Sequence, residues 1–130
     1  MSAEDVELVR ELYRRVEPDQ GFPDDLIDPE IEYVNLADAV EPGIRRGREA
    51  FHDAINRVID VYGFEVAPEE FIDAGGVVVV LLTFVGKVRG SGLERHQPQG
   101  HVWKVREGRA IRFRWFNDQA KALKAAGIER

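Results

Sequence analysis

Between His101 and Asn117 the chain reads HVWKVREGRAIRFRWFN, and apolar and charged residues alternate through it with little interruption. Successive side chains of a strand point to opposite faces, so this pattern predicts two long strands with one buried and one wetter face. His101, Trp103, Val105, Ile111, Phe113, Trp115 and Asn117 fall on one face. Val102, Lys104, Arg112, Arg114 and Phe116 fall on the other. The loop between the strands decides whether the apolar faces coincide. A two-residue loop of Glu107-Gly108 sets Trp103 against Arg112. A three-residue loop, Arg106-Glu107-Gly108, sets Trp103 opposite Ile111 and His101 opposite Phe113, with Gly108 at the left-handed third position. The second arrangement is therefore expected. Apolar walls with a few polar groups then suit a small-molecule pocket.

The rest of the chain must cover that face. Val6, Val9, Leu12, Tyr13 and Val16 recur at helical spacing, which predicts a helix over 2–16 with Ser2 and Asp5 as a capping box and Glu17-Pro18 as its end. Residues 22–28 suit a short helix or turn. Residues 30–36 alternate and read as a strand with Ile31, Tyr33 and Asn35 on one face, followed by a loop over 37–47. A second long helix is expected over 48–62 on the stripe Phe51, Ile55, Val58, Ile59 and Tyr62, capped by Gly63. Residues 64–73 read as a strand that Pro68 confines to an edge or a kink. Val77–Val85 is apolar on both faces, as a covered central strand would be. Gly86, Gly90 and Gly92 suggest a bend or flexible segment through Pro98. A last helix is expected over 119–126, with Asp118 as N-cap and Gly127 and Ile128 closing it. Helices segregated from a mostly antiparallel sheet define an α+β fold in one domain over 1–130.

Composition narrows the function. A net charge of −6 disfavours nucleic acid and anionic membrane as partners. The longest apolar run, Val77–Val85, is too short to span a bilayer. The chain has no cysteine, which removes disulfides, thiolate metal sites and a cysteine nucleophile and fits a cytoplasmic location. Its three histidines, His52, His96 and His101, show no metal-ligand spacing, and phosphate-binding glycine motifs are absent, so neither metal nor cofactor is expected.

The segments DLIDPEIEYVNLA, GREAFHDAI and HVWKVREGRAIRFRWFNDQAKALKAAGI, in this order of elements, resemble the SnoaL-like and ketosteroid isomerase-like branch of the nuclear transport factor 2-like superfamily. The resemblance covers about residues 5–128. It implies a cone: a curved, mostly antiparallel sheet wrapped around two long helices plus a short one, with a C-terminal helix. It also implies a pocket for a small apolar molecule, isomerase- or cyclase-like chemistry on a carbonyl compound, and a homodimer through the sheet. The alternative is non-catalytic binding or dimerisation, because this fold hosts many functions.

Residue by residue, the resemblance places Asn35 where the isomerase-like enzymes carry a carboxylate base. It places His101 where they carry an acidic hydrogen-bond donor, and their helix tyrosine near Leu12 or Tyr13. The pair Tyr33 and Asn35 is also similar to the water-positioning Tyr-x-Asn of the limonene epoxide hydrolase-like branch. The charged network of that branch would fall near Val85, Lys87 and Trp115, which do not supply it. The candidate catalytic residues are thus His101, Asn35 and Tyr33. The candidate ligand-binding residues are Tyr13, Phe51, Trp103, Phe113, Trp115 and Asn117. Plain core packing is the competing role for the aromatic residues, hydrogen bonding within the fold for the polar ones, and helix capping for Asp118. Asp38 is a further, displaced candidate for the base.

Overall fold

Strand β4 (Val77–Lys87) carries an apolar residue at nearly every position and is buried on both sides, so it fixes where two layers meet. Val78, Val80 and Leu82 join one buried cluster, while Val79 and Leu81 join another on the opposite face of the sheet. The computed structural model describes residues 2–16, 21–35, 43–62, 65–87 and 92–129, with side chains except at 2, 58–62, 65, 87 and 95. The Ser2 capping box, Val58, Ile59 and Tyr62 of the second helical stripe, Gly63 and Asp38 lie outside that description.

The order is α1 (Ser2–Arg14), a single 3-10 turn (Asp24–Leu26), β1 (Ile27–Asn35), β2 (Gly43–Arg46), α2 (Arg48–Tyr62), β3 (Glu65–Asp73), β4, β5 (Glu94–Arg106), β6 (Arg109–Phe116) and α3 (Gln119–Ala125). Six strands form one sheet in the order β2-β1-β6-β5-β4-β3. Every pair is antiparallel except β1 with β6. This is the α+β architecture expected.

One face of the sheet packs against the two long helices. Val9, Leu12 and Tyr13 of α1 and Phe51, Ala54 and Ile55 of α2 share a cluster with Ile31, Tyr33, Trp103, Ala110 and Phe113. Helical spacing delivers three or four apolar side chains per two turns to one side, which is why these positions meet the sheet. The opposite face is covered by α3 over β4, β5 and β6, with Ala122 fully buried. Asp118 caps α3 by accepting from the N–H groups of Ala120 (2.7 Å) and Lys121 (3.2 Å). Ile128 N–H returns to the Leu123 carbonyl at 2.9 Å and Gly127 N–H to that of Lys124 at 3.0 Å, closing the helix as a Schellman motif. Both capping roles are as expected.

Three expectations change. First, the hairpin turn holds two residues. Glu107 (φ 53) and Gly108 (φ 77) are both left-handed, as a type I′ turn requires. The mismatch this would create is absorbed by a bulge. Lys104 pairs with Arg112 but Val105 pairs with Ala110, leaving Ile111 as an extra residue on β6. Trp103 therefore faces Phe113, His101 faces Trp115, and Ala110 takes the core position assigned to Ile111. Second, Gly43–Arg46 is an edge strand within the expected loop. Its pattern shows no apolar alternation, because it only completes hydrogen bonds to β1. Third, the segment expected to bend or flex is partly strand. Gly86 lies in β4 and residues 94–98 lie in β5, paired in continuous register from Lys87↔Glu94 to Val77↔Lys104. Pro68 sits on an edge strand, beside an irregularity in the β3–β4 register, as its missing N–H demands.

Candidate functional site

The inner face of the sheet carries its polar groups in adjacent rows. β6 lies between β1 and β5, with Phe113 paired to both Tyr33 and Trp103, and Trp115 paired to His101. Trp103 and Trp115 thus point to the same side, the side of the long helices.

The Tyr13 hydroxyl of α1 descends on β5 and lies 2.5 Å from His101 Nδ1. Trp103 Nε1–H donates to the same hydroxyl oxygen at 2.8 Å. Counting donors assigns the protons. An indole nitrogen can only donate, so the phenol oxygen accepts there, and donation of the phenol hydrogen to Nδ1 is the assignment that gives that hydrogen an acceptor among the described residues. A neutral imidazole whose Nδ1 accepts carries its hydrogen on Nε2. Burial, by desolvating the charged form, pushes the His101 pKa from its ordinary 6.5 down to about 3, so the ring is neutral at physiological pH. The same desolvation holds the Tyr13 phenol well above its ordinary value, opposed by the Trp103 hydrogen bond.

Nε2 is the open end of this chain. Among the described residues no fully sealed side-chain nitrogen or oxygen lacks a hydrogen-bond partner. His101 keeps 5% of its surface exposed, and its engaged nitrogen is Nδ1. Nε2–H is therefore the ring position without a partner among the described residues, and it keeps some exposure.

On the next strands, Trp115 Nε1–H donates to Asn35 Oδ1 at 2.8 Å. Burial raises the Tyr33 phenol pKa, with a Trp115 hydrogen bond and the charge of Arg45 acting against it. The aromatic candidates Tyr13, Phe51, Trp103 and Phe113 form one buried cluster of mutual edge and tilted contacts. The Trp103 and Phe113 ring centroids lie 4.6 Å apart, and those of His101 and Phe113 lie 4.9 Å apart. Asn117 is not brought to them. β6 ends at Phe116, and Asn117 is exposed, with its carbonyl accepting from Gln97 Nε2 at 3.4 Å.

Several described carboxylates are engaged away from this face. Glu32 sits on the far face, where Oε1 accepts from Arg112 Nε (2.9 Å) and one terminal nitrogen (2.8 Å), and Oε2 accepts from Arg46 (2.7 Å). Those arginines hold its carboxyl below the ordinary range. Asp24 pairs with His52. No group of three or more potential metal ligands occurs among the described residues. No described helix is long and apolar enough to cross a membrane.

Sequence reasoning missed one inward polar residue, Gln99, which is 9% exposed. The signal was the period of two itself. Running the face Val105, Trp103, His101 back one step reaches Gln99 once the preceding residues are read as strand.

The chain belongs to the SnoaL-like domain family, whose pattern it matches over residues 6–113. Solved structures share the fold. An NTF2-like protein from Burkholderia thailandensis E264 superposes with a TM-score of 0.73 at 24% identity, over 92% of this chain and 96% of its own. A protein from Jannaschia sp. CCS1, whose name proposes a SnoaL-like polyketide cyclase, gives 0.73 at 23% identity over 99% and 95%. An NTF2-like protein of unknown function from Burkholderia pseudomallei K96243 gives 0.69 at 24% identity over 93% and 95%. At these identities the likeness is one of fold. No curated protein matches the sequence.

Proposed function

We propose that this SnoaL-like domain binds a small apolar carbonyl compound and polarises its oxygen with the neutral His101 imidazole. The observation that carries the reading is the relay Trp103 to Tyr13 to His101, which engages Nδ1 and leaves Nε2–H without a partner among the described residues. A neutral imidazole is a hydrogen-bond donor to developing negative charge on oxygen, and a dry aromatic setting strengthens that bond. This is the electrophilic half of isomerase- or cyclase-like chemistry, and Tyr33 and Asn35 flank it two strands away. A second reading, binding without turnover, is favoured by Asn35. Its carboxamide holds the position that the family resemblance assigns to a base and is hydrogen-bonded to Trp115, and an amide does not take a proton from carbon at neutral pH.

The test compares α-tetralone with its hydrocarbon, tetralin, by tryptophan fluorescence and calorimetry. The wild-type chain is expected to bind the ketone about tenfold more tightly, the worth of one good hydrogen bond. His101→Phe should erase that preference. Equal affinity for ketone and hydrocarbon in the wild type rejects the reading. A steady absorbance of added enones would separate binding from turnover. A homodimer through the outer face of the sheet, beside the Glu32 network, is proposed with it, and a monomer in sedimentation at micromolar concentration would reject that part.

A further inference from the structure

Gln99 lies two residues before His101 on β5, directly opposite Leu82 of β4 in an unbroken register. Leu82 belongs to the cluster beneath the long helices, so Gln99 shares the His101 face. Its neighbour Gly100 faces the other way, against Ala122 of α3. Gln99 is nine-tenths buried, yet its carboxamide meets no hydrogen-bond partner among the described residues. A buried amide without a partner is costly, and most such groups in folded proteins are satisfied. No sealed, unpaired side-chain polar atom occurs among the described residues, so the carboxamide, like Nε2 of His101, keeps some contact with solvent. Two polar groups without a partner among the described residues therefore stand on one face, their backbones about 7 Å apart along the strand.

We infer that Gln99 is a specificity-determining residue for the ligand of this site. It recognises a second polar substituent on the carbonyl compound that His101 holds. The inference rests on the carbonyl-binding reading above and narrows it to compounds with two oxygen functions on opposite ends of one ring edge. The imidazole can only donate, so it takes the carbonyl. The carboxamide both donates and accepts, so it takes a hydroxyl, which does the same. A plain apolar ketone leaves the carboxamide unpaired, and the site discriminates against it for that reason.

The experiment uses two ketones, α-tetralone and 4-hydroxy-α-tetralone, whose hydroxyl lies across the ring from the carbonyl. Affinities are measured by calorimetry for the wild type and for Gln99→Met, which keeps the length of the side chain and removes its polar end. The wild type is expected to prefer the hydroxylated ketone by about tenfold. Gln99→Met should lose that preference, retain its affinity for α-tetralone, and unfold at the same or a higher temperature. If the wild type binds α-tetralone through His101 but shows no preference for the hydroxyl, or if Gln99→Met keeps the preference, Gln99 has no such role while the carbonyl site stands. If α-tetralone does not bind the wild type at all, the carbonyl reading falls and this inference falls with it. A marked loss of stability in Gln99→Met would assign the carboxamide to the fold and overturn the inference.

Discussion

The hydroxyl of Tyr13 and the Nδ1 of His101 lie 2.5 Å apart although 88 positions separate them in the sequence. This contact ties the first helix to the fifth strand and sets the tautomer of the imidazole. Tyr13→Phe keeps the ring and removes the oxygen, leaving Trp103 Nε1–H and His101 Nδ1 without their partner. The expected cost is about 2–4 kcal/mol, since stranding a buried polar group costs more than a hydrogen bond is worth. Urea denaturation measures it. Nitrogen NMR of the imidazole should show Nε2–H alone in the wild type and a mixture of tautomers in the variant. A single tautomer in both would mean that something other than Tyr13 sets it.

Acid should unfold the protein through the same ring. His101 titrates near 6.5 in the unfolded chain and at about 3 in the native one, because burial disfavours its charged form. Below its ordinary value the unfolded chain binds a proton that the native chain refuses. The contribution is whole above pH 6.5 and is lost as pH falls toward 3. The slope is about 1.4 kcal/mol per pH unit. Between pH 7.5 and 5.5, above the carboxylate range, the wild type should lose about 1.4 kcal/mol more than His101→Gln does. Equal losses would place the native His101 pKa near its ordinary value.

Much of the fold was legible because its signals are local. The stripe on Phe51 and Ile55 and the start at Arg48 gave the second helix its bounds. Asp118 and Gly127 marked both ends of the last one. Residues 43–46 were not legible as strand, because an edge strand is defined by its neighbour's hydrogen bonds and GIRR carries no pattern of its own. The hairpin register failed for a related reason. Alternation reports faces, but a bulge at Ile111 restores a face after the wrong-looking turn, and a single extra residue leaves no mark in composition. At the site, the inward direction of His101 and both tryptophans could be read from periodicity. The partnership with Tyr13 could not, and the place of Gln99 only once residues 94–98 are read as strand. The first is a contact across nearly the whole chain, and the second lies behind a run of glycines that reads as loop.

The turn offers a stabilising change. Glu107 is the one residue other than glycine with a positive φ among the described residues, at 53°. Left-handed backbone disfavours a side chain that branches away without a local hydrogen bond, and Asn tolerates it better. Glu107→Asn should raise stability by about 0.5–1 kcal/mol and leave α-tetralone binding unchanged. A thermal melt with no shift would show that the turn relaxes to accommodate Glu107.

The third helix is docked through Gly100. A Cβ built there lies 2.3 Å from the Cβ of Ala122, so the strand and the helix approach as closely as a glycine permits. Gly100→Ala should therefore push the helix outward and cost about 1–3 kcal/mol, the usual penalty of overpacking. Pairing it with Ala122→Gly removes the clashing methyl and should recover most of the loss. Failure of the double variant to recover would mean that the strand, rather than the helix contact, is what Gly100 serves.

A substitution at Asn35 tests whether the proposed site is one residue short of proton transfer. Asn35→Asp exchanges the carboxamide for a carboxylate, and Trp115 Nε1–H, now 2.8 Å from Oδ1, can still donate to it. The variant would then set a general base on β1 two strands from the His101 donor on β5, which is the pairing that moving a proton on a ketone requires. Conversion of a β,γ-unsaturated ketone to its conjugated isomer should rise by about a hundredfold over the wild type, within the range a positioned base supplies. The rise should follow ionisation of the new carboxyl, appearing as an acid limb in the pH–rate profile, and His101→Phe in the same background should cut it back. A folded Asn35→Asp chain that binds α-tetralone as the wild type does, yet shows no gain, would mean that the ligand lies out of reach of this strand position.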